Sequence, residues 1–114
     1  MADCLFCHIV SKQIPATVVE ESEKTLAFRD INPRAPVHVL VIPKEHIGSL
    51  MEFQPEHAAI LSEIHQMIQK VARKEKIDTT GFRTVVNTGK DSGQAVSHVH
   101  YHVLGGRGLN WPPG

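Results

Sequence analysis

The sequence predicts an α+β domain, an antiparallel sheet with a helix packed on one face. Two observations carry this expectation: five β-like runs joined by mostly short connections, and one long helical stretch inserted between the third and the fourth. A doubly wound parallel sheet is disfavoured, because it needs repeated strand-helix alternation and a glycine fingerprint opening a helix, and neither is present. With 114 residues, a single domain spanning 1–114 is expected.

The elements follow in order. Asp3 precedes Cys4-Leu5-Phe6-Cys7-His8-Ile9-Val10, a short segment that reads as a capped helix ending before Gln13-Ile14-Pro15. Thr17 to Glu20 and Thr25 to Ile31 read as strands, with the polar Glu21-Ser22-Glu23-Lys24 as their hairpin connection. Asn32-Pro33-Arg34-Ala35-Pro36 is a loop, since two prolines remove ladder donors. Val37 to Ile42 is nearly all apolar and reads as a strand covered on both faces, ending at Pro43. Pro55 suits a first helical turn, and Ile60, Leu61, Ile64, Met67, Ile68 and Val71 then recur at helical spacing, so a helix with a core-facing stripe runs to about Lys76. Gly81 to Thr88 is a strand, Gly89 to Gln94 a loop, and Val96 to Leu104 a strand with period-two alternation that Gly105, Gly106 and Gly108 end.

Lys+Arg and Asp+Glu are 12 each, so no basic excess exists to neutralise a phosphate backbone, and a nucleic-acid groove or an anionic membrane surface is disfavoured. No run approaches the roughly 18 consecutive apolar residues that span a bilayer, and Met1 to Ile9 lacks a basic region followed by a long apolar one. A cytoplasmic protein is expected, with nuclear presence open if the source is eukaryotic. The unusual count is 8 His, the side chain that titrates nearest neutral pH, which points to metal, proton or nucleophile chemistry.

His98-Val99-His100-Tyr101-His102-Val103-Leu104 is the most informative segment. Strand alternation sends His98, His100 and His102 one way and Val99, Tyr101 and Val103 the other, with same-face neighbours roughly 6.5 to 7 Å apart. Two chemistries fit: alternate imidazoles as ligands of a catalytic metal, or a neutral imidazole as nucleophile with its neighbours orienting it. An inert, half-exposed strand is the bland alternative. The loop upstream, with Asn87, Gly89, Ser92, Gly93, Gln94 and Ala95, is rich in backbone and amide donors suited to an anion; taken alone it is a hairpin turn, and beside three imidazoles phosphate becomes the better reading.

These residues resemble the histidine triad signature, His-φ-His-φ-His-φ-φ with φ apolar, and Gly105-Gly106-Arg107 with Trp111-Pro112-Pro113-Gly114 resembles its nucleotide-binding branch. The resemblance extends over nearly the whole chain, through Ala27-Phe28-Arg29-Asp30-Ile31, Ala35-Pro36-Val37-His38, Val41-Ile42-Pro43-Lys44 and Val86-Asn87. It implies a five-stranded antiparallel sheet with one long and one short N-terminal helix, and a homodimer with a continuous ten-stranded sheet. It also implies hydrolysis of purine nucleoside phosphoramidates to a nucleoside monophosphate such as AMP. Carried over by position, His100 would take up the nucleotidyl group, His102 would contact phosphate and leaving group, and His98 and His38 would complete the cluster. Phe28, Asp30 and Ile31 would form the base and ribose pocket, and Asn87, Gly93, Gln94 and Ala95 would surround the phosphate. Without the resemblance, His38 reads as a core histidine. Ala95 stands where related proteins often carry Ser, and Ser97 where they often carry Tyr, so altered rate or preference is expected.

Cys4 and Cys7 are the only cysteines. A thioredoxin-like role would want a strand directly before the pair, and none precedes it. Zinc fits better, and the resemblance supplies two further ligands, His46 and His98; free thiols are the alternative. No organic cofactor is expected. His8, His57 and His65 show no convincing partners, and Trp111 could cap a partner's pocket or pack on its own surface. The competing function is a nucleotide-binding regulatory adaptor with little physiological catalysis.

Overall fold

The computed structural model describes residues 3–114; Met1 and Ala2, the start of the stretch read above for a leader, lie outside them. Five strands, β1 (Val18–Glu21), β2 (Thr25–Arg29), β3 (Val37–Pro43), β4 (Phe82–Val86) and β5 (Tyr101–Gly105), form one sheet in the order β1-β2-β3-β5-β4. Every neighbouring pair is antiparallel. Two helices, α1 (Leu5–Val10) and α2 (Ala58–Lys74), pack on opposite faces. The α+β expectation therefore holds, with a long and a short helix.

Alternation along the central strands builds two apolar layers. Ala27, Val39, Val41 and Val103 meet Ile64, Met67 and Val71 of α2. Leu26, Phe28, Leu40 and Ile42 meet Phe6 and Ile9 of α1. β3 lies between β2 and β5 and is covered on both sides, which is why its sequence is nearly continuous in apolar residues.

Several boundaries differ from the sequence reading. α1 is capped by Cys4, whose Sγ accepts from the Cys7 amide at 3.3 Å, and not by Asp3. β2 ends at Arg29, two residues early, because Asp30 Oδ1 accepts from the Asn32 amide and turns the chain. Pro55–His57 forms a separate 3₁₀ turn before α2. There His57 has partners after all: its Nδ1 accepts from the Gln54 amide at 2.9 Å and its Nε2 lies 3.1 Å from Glu45. β5 begins at Tyr101, not Val96. Pro43, at the end of the neighbouring strand, has no amide to donate, and its carbonyl accepts from the His98 ring, so the ladder cannot continue past Val41 and Tyr101.

β5 closes against Ile77, three residues beyond the end of α2. A Cβ added at Gly105 would lie 2.8 Å from Ile77 Cδ1 and 3.1 Å from its Cβ and Cγ2. Gly105→Ala is expected to cost about 1–2 kcal/mol by overpacking, and an unchanged urea midpoint would contradict this.

Candidate active site and metal centre

β5 and the turn before it place the histidines. His102 is paired with Leu40 on one side and Val85 on the other, so its ring lies on the α1 face of the sheet. His100 follows the same alternation; its ring centroid is 5.1 Å from that of His102 and 5.1 Å from Phe6 of α1. His98 lies outside the strand and is fully buried. The Val99 amide beside it donates to the Ile47 carbonyl at 2.7 Å, in the stretch that follows β3.

Backbone groups with only one possible role fix the proton on each ring. The His98 carbonyl can only accept, so His100 Nδ1, at 2.8 Å, carries a proton, and the lone pair of the neutral imidazole is on Nε2. The Pro43 carbonyl likewise takes His98 Nε2–H at 2.8 Å, leaving His98 Nδ1 as the free lone pair. The Arg34 amide can only donate, so His38 Nδ1 accepts at 3.0 Å and His38 Nε2 bears the proton. That proton is donated to His102 Nδ1 at 2.9 Å, which puts the His102 proton on Nε2. Asp30 Oδ2 lies 3.4 Å from the same His38 Nε2. At the cleft this sets a ring whose Nε2 is the lone-pair atom, His100, beside one with a free N–H, His102.

Burial favours the neutral form of His102, His38 and His98. It lowers the pKa of His102 to about 4, with the neighbouring His100 and His38 adding to the effect and Asp30 opposing it. Burial also pushes His38 down, against the opposing pull of Asp30, and His98 down, against its bond to Pro43.

Both rings open on a cleft of about 830 Å³ between α1 and the sheet. Of the residues named from the sequence, Phe28, Asp30, Ile31, Ala95, His100 and His102 line it. Ile31 is 92% exposed at its rim. Phe6 and Ile9 of α1 also line it, and the sequence marks them only by the apolar face of that helix. Asn87, Gly93 and Gln94 are not among its lining residues. Asn87 follows Val86, whose pairing with Tyr101 is the last of the β4–β5 register. The Gln94 side chain holds the loop together: Oε1 accepts from the Gly89 amide, and Nε2 donates to the carbonyls of Gly48 and Val96. The Gly93 amide is likewise spent, on Lys90.

Cys4, Cys7, His46 and His98 converge, with all four donor atoms within 4.8 Å of one another. Cys4 Sγ is 3.3 Å and Cys7 Sγ 3.6 Å from His98 Nδ1, and Cys7 Sγ is 3.4 Å from His46 Nδ1. A tetrahedral zinc with bonds of about 2.3 Å to sulfur and 2.0–2.1 Å to nitrogen has S···N edges of roughly 3.6 Å, so these spacings fit zinc. The lone pair that Pro43 leaves on His98 Nδ1 is the one such a site needs. Burial, then the neighbouring Cys4, raises the Cys7 thiol pKa, and a divalent cation would offset the cost of two adjacent thiolates.

Asp30, His38 and His102 also bring donor atoms within 4.8 Å. There the Arg34 amide leaves His38 Nε2 protonated, which suits a hydrogen-bond relay and opposes coordination at that atom. Of the unassigned residues, His65 is exposed, and His8 Nδ1 lies 2.5 Å from Gln13 Oε1. Trp111 is 79% exposed, with the Arg83 guanidinium 5.8 Å from its ring centroid.

A family model for the HIT domain matches residues 11–109, and the chain belongs to the HIT, or histidine triad, family. It is 47% identical over 114 residues to a 14 kDa zinc-binding protein of Brassica juncea, covering 98% of this chain and 100% of that one. A crystal structure of a HIT family hydrolase from Legionella pneumophila superposes with a TM-score of 0.95 at 46% identity, covering 98% of this chain and all of that one. A histidine triad nucleotide-binding protein from Candida albicans superposes with a TM-score of 0.83 at 34% identity, over 96% of this chain and 82% of its own.

Proposed function

We propose that this protein is a hydrolase of purine nucleoside phosphoramidates that works through a nucleotidyl-histidine on His100 and releases a nucleoside monophosphate such as AMP. The observation that carries the reading is the His100 Nδ1–H bond to the His98 carbonyl, which turns Nε2 toward the cleft as the nucleophilic atom beside the His102 Nε2–H. The hydrolase and nucleotide-binding names of the similar structures agree with it.

His100 Nε2 attacks phosphorus and forms a P–N bond as the bond to the amine breaks. The amine leaves neutral when its nitrogen has taken a proton from solvent. His102, held neutral by burial, donates Nε2–H to a phosphoryl oxygen, where charge builds. Water then attacks phosphorus, His100 departs as neutral imidazole, and the proton of the water returns to solvent. Phe28 and Ile31 would flank the base, and Asp30 would accept from the ribose hydroxyls. Cys4, Cys7, His46 and His98 would hold a structural zinc, and the functional unit would be a homodimer with a continuous sheet.

The test is release of AMP from adenosine 5′-phosphoramidate with chelator present, together with alkaline quenching to trap the nucleotidyl-protein. Turnover with label retained on the peptide containing His100 is the expected result. No turnover by folded protein would overturn the reading, and turnover abolished by a chelator that leaves the Cys/His site filled would point instead to metal-activated water.

A further inference from the structure

The nucleoside cleft and the Cys/His cluster share a wall. α1 has six residues, too few to be stable alone. The backbone hydrogen bonds it makes close within residues 4–14. Its sulfur contacts with the rest of the molecule run from Cys4 and Cys7 to His98 and His46. Between those two cysteines sits Phe6, edge-on to the rings of His100 at 5.1 Å and Phe28 at 5.5 Å. The same His98 whose ring faces the sulfurs gives its carbonyl to His100 Nδ1. The cluster thus borders both the apolar wall of the cleft and the group that orients the nucleophile.

The cluster can also be reached from outside. A second surface cleft, of about 510 Å³, opens on Cys4 and His46, with Asp3 and Leu5 on one side and Ala95, Val96 and Ser97 on the other. Both cysteines are half-buried. Their sulfurs lie on the same side of the first turn of α1, where the Cys7 amide donates to Cys4 Sγ.

We propose that the Cys4–Cys7 pair is an oxidation site that latches α1 over the nucleoside cleft, so that a peroxide opens the cleft and loosens nucleotide binding. This rests on the zinc and nucleotide reading above. One thiolate attacks a peroxide oxygen and becomes a sulfenic acid as the O–O bond breaks. The second thiolate attacks that sulfur, the S–S bond forms and hydroxide leaves. Two electrons pass from the two sulfurs to the peroxide, which ends as two waters after taking protons from solvent. A disulfide is a poor ligand, and His46 and His98 alone are too few to hold zinc. α1 then loses the tie to His46 and His98 that the two cysteines gave it.

The experiment treats reduced, zinc-loaded protein with hydrogen peroxide and follows three quantities: zinc captured by a chromogenic chelator, amide exchange along the chain, and AMP affinity by calorimetry. About one zinc released per chain is expected as two thiols are lost, with exchange at residues 5–10 at least about tenfold faster while β2 and β3 keep their protection. AMP affinity should fall about tenfold or more, and dithiothreitol with zinc should restore all three. Reduced protein that holds no zinc, zinc retained after the thiols are oxidised, or zinc lost with α1 exchange unchanged would overturn the proposal. If reduced protein fails to bind AMP, the function proposed above falls, and the zinc and exchange readings still decide the latch. A Cys4→Ser protein that folds should bind AMP weakly with or without peroxide.

Discussion

Replacing His100 with alanine is expected to lower AMP release from adenosine 5′-phosphoramidate at least about a hundredfold, the scale on which removal of a principal catalytic group acts. His100 is the only imidazole on the cleft with a free ring lone pair: His102 Nδ1 is taken by His38, and His102 Nε2 carries a proton. No neighbour can take over the attack on phosphorus. Since His100 is buried against Phe6, alanine also leaves a small void, so the variant must first be shown to be folded. Added imidazole separates the two effects. It should restore part of the lost rate by occupying the void and attacking in place of the ring, while imidazole added to wild type should do nothing comparable. Equal turnover by both proteins would remove His100 from the mechanism and leave nucleotide-dependent binding as the main function.

The fold and the site were legible in the sequence to different depths. β3 was readable as a two-faced strand because burial on both sides leaves a continuous apolar run, and the structure puts it between β2 and β5 under both helices. Period-two spacing placed His100 and His102 on one face correctly, because Val99, Tyr101 and Val103 pack toward α2. His98 was drawn into the same strand by the same spacing. What ends the strand is a proline carbonyl in another segment, and no local pattern carries that. The sequence left His38 between a core residue and a member of the cluster, and it is both: buried, with each ring nitrogen hydrogen-bonded. The ring protons were out of reach, since they depend on which backbone group faces each ring. Gln94 shows the converse. Its amide suits an anion by composition, and the fold uses it to tie the 89–96 loop to Gly48.

Lowering the pH from 7.5 to 5 should cost the protein about 2 kcal/mol through His102 alone. The sign follows from the direction of the shift. In the unfolded chain this imidazole has its ordinary pKa near 6.5, and in the folded chain burial and two neighbouring imidazoles hold it at about 4. The unfolded chain therefore binds more protons between those values. Stability is fully present above the unfolded pKa, falls as the pH drops through the window from 6.5 to 4, and stops changing from this source below 4. His38 is shifted the same way and deepens the loss. Carboxylates complicate any measurement nearer pH 4, so pH 5 is the useful lower point. The measurement is urea unfolding at the two pH values for wild type and for His102→Gln, whose amide cannot titrate. The wild type should lose about 2 kcal/mol more than the variant. An equal loss in both would show that His102 is already charged in the folded protein at pH 5, and a charged His102 could no longer accept the His38 proton at Nδ1, so the relay that orients it would have to be redrawn.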